Sequence, residues 1–263
     1  MNTWKQVNAS LTGWLAQGLE PTDVIVKLAN ACIGWSYVYG ARGEQCTPKN
    51  RQAYYKSKGD AHPTIKTKCK NFDGTGSCSG CKWYPNGVTL FYDCRGWTYW
   101  VLLKAAGIKI NGGGATSQWN DNSNWDLKGK IEDMPKDKIC CVFRQDGTKM
   151  AHTLLYTGDG YYIHDSSEVK KVKTSAYNAT HFAIPKGLYS DIKPVPVPEG
   201  YATVTGTRVA LRKEPATKAG AIITRVNTGE KVKIETPPDL GWDYVSYNGK
   251  TGWMMKQFLK EGK

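Results

Sequence analysis

The spacing of hydrophobic and polar positions is helical at the start of the chain and irregular after it. Residues 3–18 and 21–33 have the pattern of two helices, and Gly34 is expected to end the second. Residues 41–90 show no sustained pattern apart from one expected helix after Thr47-Pro48. So long an unpatterned stretch inside a compact domain is typical of a functional insertion, so we expect an added segment there.

A short apolar run leads into the stretch Phe91–Trp97, and the segment Trp97–Ala106 that follows is apolar on nearly every side. Such a segment predicts a helix buried in the middle of a domain. Asp93 is expected to be its N-cap, which leaves Cys94 in the first turn, where free N–H groups and the helix dipole favour a thiolate. Cys94 is therefore a candidate nucleophile, with an unreactive buried thiol as the alternative.

Residues 138–184 have the alternating pattern of an antiparallel meander. The expected strands cover residues 139–144, 150–156, 161–165 and 180–184. Two histidines lie on neighbouring strands, and the length of the loop between them decides whether their side chains meet. An odd loop places His152 and His164 on one face, whereas a loop of two or four residues places Asp165 there. Gly158-Asp159-Gly160 suits a three-residue loop, so we expect His164, with two unrelated structural histidines as the alternative.

The alternation of proline with valine in Lys193–Pro198 predicts a stiff linker, placed at residues 189–200. Residues 201–263 then show short alternating strands with turn signals every 8 to 12 residues, including an Asn248-Gly249 hairpin. This spacing predicts a separate small β-barrel. The expected fold class of the whole chain is α+β.

The chain of 263 residues carries a net charge of +13, which predicts attraction to polyanions such as nucleic acid, anionic lipid or anionic cell-wall polymers. Its basic residues are scattered along the sequence, which argues against nucleic acid as the partner. No apolar stretch approaches the length of about 18 residues that a membrane span needs. The start, Met1–Lys5, lacks the pattern of a secretory signal, so we do not expect export by that route.

Eight cysteines are too few for a disulfide scaffold. Three of them form the run Cys69-x8-Cys78-Ser79-Gly80-Cys81, in which Cys-x-Gly-Cys is a turn that zinc knuckles use. Cys46 would supply a fourth thiolate. A structural zinc site, disulfides and free thiols remain open here.

Three motifs, in order over residues 25 to 185, resemble those of the NlpC-type papain-like cysteine peptidases that cut bacterial cell-wall peptides. They are Gly34-Trp35-Ser36-Tyr37-Val38-Tyr39-Gly40-Ala41, Asp93-Cys94-Arg95-Gly96, and His152 to Gly160 followed by Ile163-His164. The resemblance implies a papain-like domain at residues 1–188, with helices packed on an antiparallel sheet and an insertion at about 41–90. Residues 201–263 are similar to bacterial SH3-like wall-targeting domains.

The resemblance also implies roles for single residues. Cys94 would be the nucleophile, His152 the base and His164 the group that orients it, with no catalytic cofactor. The Tyr37 hydroxyl would be a second hydrogen-bond donor to the oxyanion, and Asp93 would cap the helix and face the substrate. The bond cut would be D-γ-glutamyl–diamino acid in the peptide stem, as in an endolysin. The resemblance, with no evident signal peptide, implies a protein that acts at the bacterial wall after release by lysis or on a phage particle, and we expect it to be a monomer.

Arg95 departs from the family pattern, because it replaces a small serine that helps to hold the free amino end of the stem peptide. A cation there would instead favour a carboxylate. This substitution keeps an N-acetylmuramoyl-L-alanine amidase as the alternative activity. A wall-binding phage structural protein with an idle catalytic fold is the non-enzymatic alternative.

Overall fold

The computed structural model describes residues 1–58, 66, 69–84, 89–190, 200–215, 221–239 and 242–261, without the side chains of residues 58 and 236–239. The predicted linker, residues 189–200, lies almost wholly outside the described residues. The chain divides into two compact units, one of residues 1–119 with 129–190 and one of residues 120–128 with 191–263. No helix among the described residues is both long and apolar enough to cross a membrane.

The first unit combines five helices with two sheets. The helices are α1 Trp4–Ala16, α2 Pro21–Ala31, α3 Pro48–Lys58, α4 Cys94–Ala106 and α5 Ala115–Asn120. The strands of its sheets are β1 Ser36–Tyr37, β2 Arg42–Gln45, β3 Leu90–Tyr92, β4 Trp125–Lys130, β5 Cys140–Asp146, β6 Lys149–Tyr156, β7 Tyr161–Asp165, β8 Val169–Lys173 and β9 His181–Pro185. Residues 125–128 of β4 are counted in the second unit. The two N-terminal helices, the helix after Thr47 and the helix that begins at Cys94 therefore agree with the prediction.

Helix α4 lies in the middle of this unit, as its all-round apolar sequence predicts. Trp97, Val101 and Leu102 on it are fully buried. Around its N-terminal half the aromatic side chains pack on one another, with Trp35 stacked on Tyr92 and Trp100 tilted against both. Burying so much aromatic area fixes α4 against the strands beside it.

A six-stranded sheet, in the order β4-β9-β5-β6-β7-β8, forms the other layer. The predicted simple meander is wrong in one respect, because β9 returns to pair with β5 and does not follow β7 at the edge. Strand β8 was not predicted, since its sequence Val-Lys-Lys-Val-Lys has too few apolar residues to show a clear alternation. Residues 41–90 were predicted to be irregular apart from one helix, but they also contain strand β2, which pairs with β3.

The second unit contains a sheet of seven strands, in the order β12-β11-β15-β14-β13-β10-β16. Their bounds are β10 Tyr201–Val204, β11 Val209–Arg212, β12 Ile222–Val226, β13 Lys231–Asp239, β14 Trp242–Tyr247, β15 Lys250–Met255 and β16 Leu259–Glu261. Asn248 and Gly249, both with positive φ, form the predicted hairpin between β14 and β15. The expected barrel is not closed, because among the described strands β12 and β16 remain unpaired edges.

Candidate active site

The first turn of α4 places Cys94 where the sequence predicted it. The Asp93 side chain accepts a hydrogen bond from the backbone N–H of Gly96 at 2.7 Å, so Asp93 is the N-cap. Gly107, at φ 67°, ends the helix in the left-handed conformation. The cap and the buried helix together fix the position of Cys94 in the first turn of α4.

Gly96 lets this helix start lie directly against the preceding chain. A Cβ atom at position 96 would stand 2.5 Å from the carbonyl oxygen of Ala41 and 3.1 Å from the Asp93 Oδ1 atom. Both neighbours are fixed, the first as backbone and the second as the cap. The glycine of the Asp93-Cys94-Arg95-Gly96 motif is thus a requirement of packing.

We expect Gly96→Ala to lower the free energy of unfolding by about 1–3 kcal/mol, because an overpacked site must shift backbone. Gly13→Ala is the matched control, since it also lies inside a helix but its added Cβ would meet nothing within 4 Å. There the change should stabilise the protein by up to about 1 kcal/mol. Urea unfolding of both variants measures the difference, and equal effects would refute the close approach.

The Cys94 sulfur lies against strand β6 of the six-stranded sheet. It accepts hydrogen bonds from the backbone N–H of Thr153 and from that of Arg95. Thr153 follows His152 directly in the chain. The tertiary structure therefore brings the candidate nucleophile beside the strand that carries the candidate base.

The charge state of Cys94 differs from the prediction, which was a thiolate. Desolvation, followed by the negative charge of Asp93, raises the pKa of the Cys94 thiol to about 12. The two N–H donors lower it by less than these effects raise it. The expected stabilisation of a thiolate by the helix start is therefore outweighed, and Cys94 rests as a neutral thiol.

His152 and His164 meet, as the parity argument predicts. Strands β6 and β7 pair Leu155 with Ile163, and the backbone N–H of Thr157 donates to the Tyr161 carbonyl oxygen, which closes a three-residue loop. This register places His152 and His164 on one face, two positions apart. The His152 Nε2 and His164 Nδ1 atoms are 2.8 Å apart.

Both imidazoles are neutral at physiological pH. Burial, and then the nearby His164, lower the pKa of His152 to about 3. Burial, with Lys170 and Arg144 next, lowers the pKa of His164 to about 4. Among the described residues the His164 Nε2 atom has no hydrogen-bond partner. If His164 accepts at Nδ1, its proton sits on Nε2, and the Nδ1 atom of His152 keeps a free lone pair.

Tyr177 is the residue that sequence reasoning missed. Its ring centroid lies 5.1 Å from that of His164 and 5.9 Å from that of His152. The Cys94 thiol contributes to raising the Tyr177 pKa, after desolvation, so this ring also lies near the sulfur. No motif or spacing marked it, because residues 174–179 lie in the connection that leads from β8 to β9.

The Arg95 side chain is hydrogen-bonded to other residues of the first unit. Its Nε atom donates to the Asp93 Oδ2 atom at 3.1 Å, and its Nη1 atom donates to the carbonyl oxygen of Gly112. The backbone oxygen of Arg95 accepts from the Gln118 side chain at 3.2 Å. Two of its guanidinium nitrogens thus connect the cap of α4 to the glycine-rich turn before α5.

Tyr37 lies on β1, where it pairs with Tyr92 in parallel register. Its half-buried side chain packs against a small core that includes Val38 and Phe91. The next residue after Tyr92 is Asp93, so the register places Tyr37 close to the start of α4. Asp93 itself is buried, and this burial raises its pKa in spite of the N–H of Gly96 and the Arg95 guanidinium.

Asp165 occupies the opposite face of β7 from His164. It is fully buried, and neither carboxyl oxygen has a hydrogen-bond partner among the described residues. Burial, followed by the charge of Asp93, raises the pKa of Asp165 well above the ordinary value, which favours the neutral form of its carboxyl group. The odd loop between β6 and β7 is what excludes Asp165 from the pair with His152.

Comparison with known proteins identifies the second unit only. Residues 207–260 match the bacterial SH3 domain family, so the chain contains a bacterial SH3 domain. No curated protein matches the chain.

Two solved structures show weak similarity. NlpC2 from Trichomonas vaginalis is 18% identical, with a TM-score of 0.21, over 47% of this chain and 44% of that one. Ly7917 is 16% identical, with a TM-score of 0.23, over 65% of this chain and 89% of that one.

Proposed function

We propose that the first unit is a cysteine peptidase that hydrolyses an amide bond in the peptide part of the bacterial cell wall. One observation supports this most directly. The Cys94 sulfur accepts a hydrogen bond from the residue next to His152, and His152 is in turn hydrogen-bonded to His164. A nucleophile beside a base that a third group orients is the arrangement that acyl transfer requires.

The neutral resting state determines how the proton moves. A thiol with a pKa of about 12 and an imidazole with a pKa of about 3 do not exchange a proton before substrate binds. The His152 Nδ1 atom therefore takes the proton from the sulfur as the sulfur attacks. We assign the proton of the His152–His164 hydrogen bond to His152 Nε2, which leaves His152 Nδ1 free and makes His164 the positioning residue.

The proposed reaction has two stages. Cys94 attacks the carbonyl carbon, its proton passes to His152, and the backbone N–H at the start of α4, with the Tyr37 hydroxyl as a second donor, stabilises the oxyanion. The C–N bond then breaks, and His152 donates its proton to the leaving amine. Water next attacks the thioester, gives one proton to His152, and the released sulfur recovers that proton.

The resemblance of the motifs supplies the proposed bond, D-γ-glutamyl–diamino acid. Asp93 and Arg95 line the start of α4 as a buried ion pair, with side chains 8% and 13% exposed. Because Arg95 is already held by Asp93 and Gly112, its main contribution here is to position the cap. This geometry favours the endopeptidase over the amidase, whose main support was an Arg95 available to bind a carboxylate.

We further propose that the SH3 domain holds the enzyme on the wall. Bacterial SH3 domains often bind cell-wall material, and the chain carries a net charge of +13. Wall polymers rich in phosphate or carboxylate would attract such a chain at low ionic strength. An endolysin or another phage or prophage enzyme fits this combination of a hydrolase with a wall-binding domain.

We expect purified peptidoglycan digested by the full chain to yield new α-amino groups on the diamino acid, as free stem-peptide ends. Mass spectrometry of the released muropeptides, with labelling of the new amino termini, measures this. Free L-alanine amino termini would instead establish the amidase. Intact muropeptides after prolonged digestion, together with retained wall binding, would overturn the enzyme and leave a binding protein.

A further inference from the structure

Two groups of side chains lie outside the proposed active site and raise the question of a second ligand. The first consists of Cys46, Cys69, Cys78 and Cys81, and it does not fit a zinc ion, because among the described residues no three ligating groups converge on one point. The second lies on the SH3 domain and consists of arginine and aromatic side chains.

Four neighbouring strands of the SH3 domain, β12, β11, β15 and β14, face its core on one side only. The side chains that they bury there are Val209 and Leu211 on β11, Val226 on β12, Val245 on β14 and Met254 on β15. Because successive side chains of a strand point to opposite faces, the residues between these lie on the outer face of the sheet.

The outer face carries arginine and large apolar side chains. Arg212 lies there on β11 and Arg225 on β12, while Met255 of β15 pairs with Trp242 of β14. Arginine, methionine and aromatic residues are enriched at binding surfaces, where lysine and glutamate are depleted. The composition of this face is therefore typical of a surface that meets a ligand.

A surface cavity of about 230 Å³ opens on this face. Three arginines line it, Arg208, Arg212 and Arg225, and Trp242 and Phe258 form aromatic walls. Of the lining residues that the structure describes, none is an aspartate or a glutamate. The cavity thus concentrates positive charge, which an anion would neutralise.

The loop that leads into β11 and forms one wall of the cavity is held by hydrogen bonds. The Thr228 hydroxyl donates to the Gly206 carbonyl oxygen at 2.8 Å. The Arg225 Nη1 atom donates to the Arg208 carbonyl oxygen at 3.1 Å. Arg225 therefore has two roles, because it lines the cavity and also holds the residue that carries a second lining cation.

Arg208 has φ 51°, which lies in the left-handed region. Only one other non-glycine residue in the described part of the chain, Asn248 of the hairpin, has a positive φ. Arginine is strained in this conformation, whereas glycine adopts it freely. The Arg208 side chain makes no hydrogen bond or ion pair with another described residue, so no such contact compensates for the strain. Strain of this kind is typical of ligand sites.

We propose that this cavity binds a phosphate or carboxylate group of a cell-wall polymer. The planar guanidinium groups of Arg208 and Arg225 would donate hydrogen bonds to its oxygens, because their geometry matches both kinds of anion. Trp242 and Phe258 would pack against the carbon skeleton that carries the charge. This inference rests on the proposed wall-binding role of the SH3 domain, and it does not depend on the peptidase activity.

Arg208→Gly is the sharpest test, because glycine suits φ 51° and the change removes only the side chain. Co-sedimentation of the full chain on ice with purified walls rich in phosphate polymers should show binding weakened at least about tenfold. The urea midpoint should stay close to that of the unaltered chain. Lys260→Gln is the matched control, since it removes one positive charge from the exposed surface of β16 outside the cavity. It should change wall binding less than about twofold.

The same walls, stripped of their phosphate polymers by hydrofluoric acid, distinguish the two sources of the anion. Binding that disappears with the polymers identifies phosphate, and binding that persists and still requires Arg208 identifies a carboxylate of the stem peptide.

Two results would overturn the cavity and leave the wall-binding role intact. They are walls bound equally well by Arg208→Gly and the unaltered chain, and equal losses in Arg208→Gly and Lys260→Gln, which would indicate attraction by net charge alone. If the unaltered chain sediments with neither wall preparation, the wall-binding role itself fails, and the cavity proposal fails with it.

Discussion

Cys94→Ala should abolish release of soluble muropeptides from purified walls, with a fall in rate of at least about 10³-fold. The reason is chemical, because alanine offers no nucleophile and water lacks an equivalent position at the start of α4. The fold should survive, since Cys94 is only half-buried and neither the Asp93 cap nor the core of α4 depends on its sulfur.

The control for this prediction is Cys140→Ala, which removes a buried sulfur of β5 and leaves the proposed site untouched. It should retain activity near that of the unaltered chain. Binding to walls, measured by co-sedimentation, should be the same for both variants because the SH3 domain is unchanged. Lytic activity that persists in Cys94→Ala would refute the proposed nucleophile.

The double variant Cys94→Ala/His152→Ala makes the test sharper. Residues that act as one catalytic unit show grossly non-additive effects, so the double variant should be about as inactive as either single variant. If the loss of activity in the double variant equals the product of the two single losses, His152 acts independently of Cys94. Circular dichroism and urea unfolding of each variant separate such effects from loss of the fold.

Alkylation of Cys94 should be slow at neutral pH and should accelerate steeply with rising pH. A pKa of about 12 in place of the ordinary 9.0 means about a thousandfold less thiolate at pH 7 than for a free cysteine. Because only the thiolate reacts, the rate should rise roughly tenfold for each pH unit between 7 and 10. Mass spectrometry of the Cys94 peptide after timed iodoacetamide exposure measures this rate.

A cysteine-containing peptide in the same tube is the control for the reagent. The sign of the effect follows from the pKa of each group, since a raised thiol pKa removes thiolate and a lowered imidazole pKa removes imidazolium. His152, with a pKa of about 3, remains a neutral base at all pH values above that. Fast, pH-independent alkylation between pH 5 and 8 would instead reveal a thiolate–imidazolium pair formed in advance and would contradict proton transfer during attack.

The local features of the site are determined by the sequence. Asp93 as a cap, the buried helix after Cys94 and its end at Gly107 all follow from residue type and order over a few positions. The relation between His152 and His164 also follows, because the side chains of a strand alternate and Gly158-Asp159-Gly160 forms an odd loop. Such properties depend on neighbours in the chain, which a sequence displays directly.

Other features were decided by tertiary contacts. The thiolate expected at Cys94 became a neutral thiol, because desolvation by the surrounding unit and the buried Asp93 outweigh the helix start. Arg95, which the sequence left as a free cation, is held by Gly112, and Tyr177 reaches the histidines from a distant connection.

Tertiary contacts also decide the pairing of β9 with β5 and the open edges of the second sheet. Strand order reflects which apolar faces can be buried together, and pKa values reflect how much water that burial removes. Both are sums over residues far apart in the chain, so alternation and spacing determine the elements of this protein but not their surroundings.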